Sequence, residues 1–188
     1  EDDCMTIIER MYSKKVYSVL DYSVEGKEEE AQFDLVLDKI ISLINFVNEK
    51  EAMPCAVFKP SGFGRFELYR KLTENVALSE EEKLEWSKVV DRFEKVAKAC
   101  YDKDECLLVD AEESWMQDAV DELMESLIEK YNKEKVIIFS TLQLYRHDRL
   151  EYLKGLHQRA KKKGFKIGMK LVRGAYMEKE RERAVEKK

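Results

Sequence analysis

Charged side chains end several short apolar segments of the chain, and their types are those that bind and transform small charged molecules. Lys59 ends the segment PCAVFK, Asp110 ends ECLLVD and Arg173 ends KIGMKLVR. A lysine that emerges from an apolar segment needs a partner for its charge. An arginine presents five fixed donors that suit a carboxylate, a phosphate or the edge of a heterocycle. Together these residue types indicate a site for a small charged substrate and a bound cofactor.

The spacing of apolar residues predicts the elements that must position these side chains. Alternation at period two and short apolar runs are typical of strands. Strands are predicted at 15–25, 54–59, 105–110, 135–140 and 166–173. Apolar residues at helical spacing predict a helix after each strand, and a short helix is expected at 1–14. Ser79 and Glu82 have the spacing of a capping box that starts a helix, and Gly164 has the position of a helix C-cap.

Five strand–helix units predict a parallel α/β fold, either a doubly wound sheet or a barrel. The barrel is favoured because polar residues lie at the carboxyl end of every predicted strand, and in a closed barrel those ends form one rim around one mouth. These polar residues are Asp21 and Glu25, Lys59, Asp110, Ser140 and Gln143, and Arg173. The dinucleotide-binding pattern GxGxxG is absent after the first strand, which weakens the doubly wound alternative.

The length limits how much of a barrel the chain can form. A (β/α)8 TIM-type barrel has eight strands and about 250 residues, whereas this chain has 188 residues and five predicted strands. We therefore expect a single domain over 1–188 that forms an incomplete (β/α)8 barrel with open strand edges.

The composition argues against several classes of function. The net charge of −5 gives no electrostatic case for nucleic acid. No apolar run approaches the ~18 residues of a membrane span, and no signal peptide is recognisable. Cys4, Cys55, Cys100 and Cys106 include no CxxC pair and no histidine at zinc spacing, so no metal is expected. Reduced, mostly buried thiols are expected, in a bacterial cytoplasm or on the matrix side of a mitochondrion.

Five segments of the sequence, in order, resemble the motifs of the proline dehydrogenase family. They are LDYSVEG at 20–26, FK with a glycine-rich turn at 58–64, LLVDAEESWMQ at 107–117, FSTLQLY at 139–145 and KLVRGAYMEKER at 170–181. These segments cover nearly the whole chain after residue 15. The turn after Lys59 departs from the family pattern, because PSGFGR follows it where a KLTALG-like sequence is common.

The resemblance implies FAD-dependent oxidation of L-proline to Δ1-pyrroline-5-carboxylate on a distorted barrel. Hydride would leave the proline ring carbon for flavin N5, and the electrons would pass to a quinone-type acceptor. Because the acceptor is of the quinone type, a peripheral membrane contact is expected. A homo-oligomer is expected as well. The protein would supply orientation and electrostatics, while the hydride chemistry belongs to the flavin.

The resemblance also assigns roles to residues of this chain. It makes Lys59 a ligand of the substrate carboxylate, and it makes Asp110 and Arg173 the catalytic pair. Arg173 would lie beside the flavin ring, where it can stabilise developing negative charge. The residues expected to hold FAD are the Ala111 backbone, Gln143, Arg173, Tyr176, Met177 and Glu178. The family's paired arginines on its last helix would lie beyond Lys188, so the piece alone is expected to be inactive.

Each of these residues also has a structural interpretation. Asp110 has a position at which a carboxylate commonly caps the next helix, and Arg173 can pair structurally with Asp110 or Glu112. Two alternative functions stay open at this point. One is a Schiff-base lyase or aldolase on a similar barrel with Lys59 as the nucleophile. The other is a non-catalytic barrel fragment that self-associates through its open strand edges.

Overall fold

The computed structural model describes residues 4–22 and 28–187. Helices and strands alternate through most of these residues, as the spacing of apolar residues predicts. The helices are α1 (Met5–Tyr12), α2 (Glu30–Asn48), α3 (Phe66–Thr73), α4 (Glu80–Lys103), α5 (Ser114–Tyr131), α6 (Arg149–Lys163) and α7 (Met177–Glu186). The strands are β1 (Cys55–Phe58), β2 (Cys106–Val109), β3 (Ile138–Gln143) and β4 (Met169–Val172).

The four strands form one parallel sheet in the order β1-β2-β3-β4. Consecutive strands are therefore neighbours, and each connection between them contains at least one helix. Parallel strands point their carboxyl ends to the same side of the sheet, so the residues that end them are brought to one edge. Within the described residues β4 lies at one edge of the sheet, which agrees with the open edge expected for the segment 166–173.

Local sequence signals set the ends of two helices. Ser79 accepts a hydrogen bond from the backbone of Glu82, and the Glu82 side chain accepts one from the backbone of Ser79, so α4 begins with the predicted capping box. Gly164 ends α6 with a φ of 68°, a left-handed conformation that glycine adopts without a steric penalty. Both caps were predicted from residue type and spacing alone.

The core lies between the sheet and the helices that follow its strands. β1 is nearly all apolar and largely buried, and Phe58 packs edge-to-face on Phe93 of α4 with ring centroids 5.1 Å apart. Phe63 fills the space beside both rings, 4.6 Å from Phe58 and 5.5 Å from Phe93. This aromatic cluster fixes the turn that follows Lys59, because Phe63 belongs to that turn.

The predicted strand at 15–25 is wrong for the described part of that segment. Residues 16–22 make only one isolated parallel bridge, between Asp21 and Val57 of β1. Val16 and Val19 are exposed at 45% and 46%, because the apolar residues of this segment do not alternate at period two and cannot all face the core. Glu25, the other polar residue predicted at this strand end, lies outside the described residues.

The predicted strand at 135–140 is displaced toward the carboxyl terminus. β3 begins at Ile138 and continues to Gln143, so Ser140 lies inside the strand. The cause is Asn132, whose Oδ1 accepts hydrogen bonds from the backbone N–H groups of Ile137 and Ile138 at 3.0 and 2.9 Å. Because these N–H groups donate to a side chain, they are not available to a neighbouring strand, and the residues before Ile138 form a loop instead of a strand.

The prediction of reduced thiols is wrong for two of the four cysteines. Cys55 and Cys106 form a disulfide, with Cα atoms 4.5 Å apart, inside the range of about 4.4–6.8 Å that the bond requires. They are register partners on the neighbouring strands β1 and β2. Cys4 is free and exposed, and Cys100 is free and buried. The assignment of 1–188 to a single domain stays a prediction. Among the described residues, no helix is both long and apolar enough to cross a membrane.

Candidate active site

The sheet register brings four polar residues into one row at the carboxyl ends of the strands. Phe58 is the partner of Val109, so the next residues, Lys59 and Asp110, face each other. Leu108 is the partner of Phe139, which places Thr141 level with Asp110, and Thr141 is in turn the partner of Lys170. Register partners in a parallel sheet point to the same face. The row therefore presents two lysines and an aspartate to one side of the sheet.

The charged members of this row form a compact group with Asp21, which we call the lysine–aspartate cluster (Asp21, Lys59, Asp110 and Lys170). Lys59 Nζ lies 3.1 Å from Asp21 Oδ2 and 3.3 Å from Asp110 Oδ2. Lys170 Nζ forms an ion pair with the other oxygen, Asp110 Oδ1. The side chains of Lys59 and Asp110 are 19% and 20% exposed, so the cluster is partly desolvated yet open to a ligand.

The electrostatics of Lys59 favour a permanent cation. Burial alone lowers the pKa of Lys59, but the hydrogen bond to Asp21 and the charges of Asp21 and Asp110 outweigh burial, and the pKa is raised above that of an ordinary lysine. A lysine that acts as a Schiff-base nucleophile needs a lowered pKa, so that its neutral amine is populated. The direction of this shift argues against the lyase alternative and suits a lysine that binds an anion.

Asp110 pairs with Lys170 as well as with Lys59 and forms no ion pair with Arg173, so the structural interpretation of Arg173 as a partner of Asp110 does not hold. The catalytic roles assigned to Asp110 and Arg173 stay a prediction. Arg173 follows the last residue of β4, is exposed and makes no ion pair with another described residue. Sequence reasoning missed Lys170, although the period-two alternation of 166–173 places Lys170 and Val172 on the face opposite to Leu171.

Gln143 lies at the end of β3 and is 1% exposed. Its side-chain nitrogen donates to the backbone carbonyl of Glu112 and, at 2.8 Å, to the hydroxyl of Tyr145. It stands two residues after Thr141 and therefore points to the same face of the sheet as the row of strand-end residues. The structure thus brings Gln143 to the rim as predicted, with its amide bonded to the loop that contains Ala111.

Ala111 lies between Asp110 and Glu112, in the turn that leads from β2 into α5. Glu112 is 2% exposed, and its carboxylate accepts hydrogen bonds from the backbone and the hydroxyl of Ser61. Ser61 belongs to the turn after Lys59, so the turns that follow β1 and β2 are bonded to each other. The backbone of Ala111 is held between these bonded residues and the lysine–aspartate cluster.

The turn from β4 into α7 contains the other residues predicted to hold a cofactor. Tyr176 adopts a left-handed conformation with φ 54° immediately before α7. A pocket of about 470 Å³ is lined by residues 176–179, and so includes Met177 and Glu178. The predicted turn therefore borders an open pocket, in which the Met177 side chain is 48% exposed.

Helix α7 is fixed over the start of α5 by polar contacts. The carboxylate of Glu180 accepts hydrogen bonds from the backbone N–H and the hydroxyl of Ser114 at 2.7 and 2.8 Å. Arg183 pairs with Glu74 at 2.7 Å and lies over the ring of Trp115. No residue of α7 is buried, so these charged contacts, rather than an apolar interface, determine where the helix lies.

Comparison with known proteins is consistent with this arrangement. The family model described as proline dehydrogenase matches residues 4–188 of the chain. The carbapenem antibiotics biosynthesis protein CarD of Pectobacterium carotovorum subsp. carotovorum is 37% identical over 163 residues, which cover 87% of this chain and 43% of CarD. Human mitochondrial proline dehydrogenase 1 is 37% identical over 108 residues, which cover 57% of this chain and 18% of the human protein. The chain thus spans less than half the length of these curated relatives.

Solved structures share the fold. Proline utilization A from Bdellovibrio bacteriovorus, inactivated by N-propargylglycine, superposes with a TM-score of 0.81 over 98% of this chain and 20% of its own, at 18% identity. A mutant of proline utilization A from Bradyrhizobium japonicum superposes with a TM-score of 0.73 at 20% identity, over 95% of this chain and 19% of its own. This likeness confirms the predicted (β/α)8 TIM-type barrel class, of which the described residues contain four strands. With a family model that matches it from residue 4 to residue 188, the chain belongs to the proline dehydrogenase family.

Proposed function

We propose that this chain forms part of a flavoenzyme that oxidises L-proline to Δ1-pyrroline-5-carboxylate and passes the electrons to a quinone-type acceptor. The observation that carries the proposal is the lysine–aspartate cluster at the carboxyl ends of the strands. In barrel enzymes this is the edge of the sheet at which active sites are built. The chain's membership of the proline dehydrogenase family supports L-proline as the substrate.

Lys59 is proposed to bind the substrate carboxylate. Its ammonium is held at the mouth by Asp21 and Asp110, and its raised pKa keeps it cationic at every physiological pH. Asp110 holds Lys59 and Lys170 on either side of itself, so neither lysine can swing into solvent without losing an ion pair. The cluster thereby orients cationic donors toward one spot, which lowers the entropic cost of binding an anion there.

The residues present fit FAD as the cofactor. The pocket lined by residues 176–179 begins three residues after the exposed Arg173, whose guanidinium forms no ion pair with another described residue. A cation beside a flavin stabilises the negative charge of its reduced form. Gln143, the Ala111 backbone, Tyr176, Met177 and Glu178 are proposed to hold the remainder of the molecule. When bound, FAD supplies a hydride acceptor that no side chain provides.

The direct test uses the full-length protein. It is expected to purify with the absorbance of bound FAD, to bleach when L-proline is added without an acceptor, and to reduce a soluble quinone in proportion to L-proline. Lys59→Met should raise KM for L-proline by about two orders of magnitude, because a charge-assisted contact with the carboxylate is lost.

Lys95→Met is the matched control, because Lys95 lies on α4, away from the strand ends. A full-length protein that neither contains nor takes up FAD would overturn the proposed function. So would equal KM values for L-proline in the Lys59 and Lys95 variants. The site of action, a bacterial cytoplasm or the matrix side of a mitochondrion, is part of the same proposal and is checked by fractionation of the source cells.

A further inference from the structure

We propose that Glu112 is a positioning residue for the lysine–aspartate cluster. Its buried carboxylate fastens the turn after Lys59 to the turn after Asp110 and so sets the distance between these two side chains. The geometric part of this inference does not depend on the reaction. Its consequence for L-proline rests on the proposed function.

The first observation is a two-point bond between the turns. Glu112 Oε2 accepts the backbone N–H of Ser61 at 2.8 Å, and Glu112 Oε1 accepts the Ser61 hydroxyl at 2.7 Å. Glu112 and Ser61 are 2% and 8% exposed. Hydrogen bonds to a charged acceptor are about twice as strong as neutral ones, and both oxygens of the carboxylate are used. Neither turn can move alone without breaking this pair of bonds.

The second observation is the register of this contact. Lys59 faces Asp110 in the row described above, and Ser61 and Glu112 are each two residues further along the same two segments. The bonded pair Ser61–Glu112 is therefore the next contact outward from Lys59–Asp110. Lys59 is joined to Ser61 through Pro60, whose ring fixes its backbone φ. A hydrogen bond that fixes Ser61 therefore also restricts the backbone of Lys59.

The third observation is that Glu112 is also fixed to the rest of the rim through its backbone. Its N–H donates to Oε1 of Gln117 on α5 at 3.1 Å, and its carbonyl accepts from Gln143 at the end of β3. The Pro60 carbonyl accepts the buried hydroxyl of Tyr69 at 2.7 Å. Glu112 thus links the carboxyl ends of β1, β2 and β3.

The experiment compares Glu112→Ala with Glu112→Gln in the full-length protein. Loss of the carboxylate should free the turn after Lys59, so KM for L-proline should rise about tenfold while kcat changes less than about threefold. Glutamine keeps an acceptor for the Ser61 N–H and should return KM to within about threefold of the wild type. If Glu112 were needed only for folding, its substitution would lower the fraction of active protein. The apparent kcat would then fall, while KM for L-proline would stay as in the wild type.

A second readout does not require turnover. If the Lys59 side chain moves away from Asp21 and Asp110, it loses the hydrogen bonds that raise its pKa. Its acetylation by acetic anhydride at pH 8, followed by mass spectrometry, should therefore be about threefold faster in Glu112→Ala than in the wild type. Glu94→Ala is the matched control, because Glu94 accepts a hydrogen bond from Tyr131 on the outer helices. The acetylation rate of Lys59 in this variant should equal that of the wild type.

Ser61→Ala keeps the test decisive if Glu112→Ala does not fold. It removes the hydroxyl bond and leaves the carboxylate in place, and it should accelerate acetylation of Lys59 by a smaller factor. The inference is overturned if the acetylation rate of Lys59 is unchanged in a folded Glu112→Ala protein. If that variant does not fold, an unchanged acetylation rate of Lys59 in Ser61→Ala overturns it. If Lys59 responds but the wild type does not oxidise L-proline, the positioning role stands and the proposed function fails.

Discussion

Lys170 of β4 forms an ion pair with Asp110 at the end of β2, across the intervening strand β3. The residue level with them on β3 is Thr141, whose hydroxyl donates to the Val109 carbonyl at 2.8 Å and so does not compete for the carboxylate. Lys59 approaches the same carboxylate from the β1 side at 3.3 Å. One aspartate therefore fixes a lysine from each of two strands that are not neighbours.

This relationship predicts that Lys170, more than Arg173, controls the electrostatics around Asp110. Lys170→Ala leaves a partly buried carboxylate with one cation fewer, and kcat/KM for L-proline should fall by about two orders of magnitude. Lys166→Ala, in the exposed residue that precedes the same strand, should retain near wild-type kinetics. Steady-state assays of the full-length protein measure both, and equal values for the two variants would contradict the assignment.

Arg173→Ala should act on the cofactor rather than on Asp110, because the guanidinium is exposed and makes no ion pair with another described residue. The variant should keep the thermal midpoint of the apoprotein while its Kd for FAD rises about tenfold or more, since the cation proposed to lie beside the flavin is lost. Titration of apoprotein with FAD, followed by flavin fluorescence, measures this change. Arg181→Ala, on α7, serves as the comparison, and a Kd for Arg173→Ala equal to that of Arg181→Ala would count against the role.

The contact between Glu180 and Ser114 predicts a stability effect that crosses from one helix to another. Glu180→Ala removes the acceptor of the first backbone N–H group of α5 and should lower the free energy of unfolding by about 1 kcal/mol, as loss of a helix cap does. Trp115 emission should also shift, because Arg183 on the same helix lies 4.6 Å from its ring. Glu182→Ala, an exposed residue of α7, should change neither. Urea unfolding and tryptophan fluorescence are the measurements, and identical behaviour of the two variants would disprove the contact.

The disulfide between Cys55 and Cys106 closes a sequence separation of 51 residues. On the chain-entropy estimate such a crosslink stabilises the folded state by about 4 kcal/mol. Cys55→Ala should lose most of that amount, and dithiothreitol should shift the unfolding midpoint of the wild type but not of the variant. Cys4→Ser, at the exposed free thiol, should behave as the wild type. A wild-type midpoint that does not respond to reductant would show that the bond does not stabilise the fold.

Asp148 predicts a pH dependence of stability. Burial raises its pKa, but the hydrogen bond from Arg149 and the charges of Arg146 and Arg149 outweigh burial, and the pKa is lowered below that of an ordinary aspartate. A carboxylate whose pKa is lower in the folded state stabilises the protein above its unfolded pKa of about 3.9, and this contribution is lost as the pH falls toward the folded value. The gap in unfolding midpoint between wild type and Asp148→Asn should therefore be constant from pH 5 to 7 and shrink below pH 4. Calorimetry across this pH range measures both midpoints, and a gap that does not shrink below pH 4 would contradict the prediction.

Local signals in the sequence predicted most elements and their caps. The capping box at Ser79 and the glycine at 164 act within one turn of chain, so residue type and spacing suffice to place them. The strand β4 (Met169–Val172) lies within the segment predicted at 166–173, in which apolar residues alternate as far as Leu171. The strand predicted at 15–25 does not form over the described residues 15–22, because their apolar residues lack that alternation and only Asp21 pairs with β1.

Non-local features were predicted less well. Which cation reaches Asp110 depends on the register of β2, β3 and β4, and a shift of one residue would turn Lys170 away from the face that Asp110 occupies. The pairing of Cys55 with Cys106 depends on the register of β1 and β2 in the same way. Residue types and strand ends identified the rim and its members Lys59, Asp110 and Gln143. The partners of these residues required the assembled sheet.

The lysine–aspartate cluster consists of two cations and two anions in mutual contact. An amino acid at neutral pH is a zwitterion, with one charge of each sign and no net charge. Such a molecule can enter by exchange, its carboxylate taking the place of Asp21 on Lys59, while the total charge of the partly desolvated group stays the same. A simple anion or a simple cation would instead leave one charge unmatched, at a cost that rises as water is excluded. The cluster can therefore discriminate by charge balance before any shape is recognised.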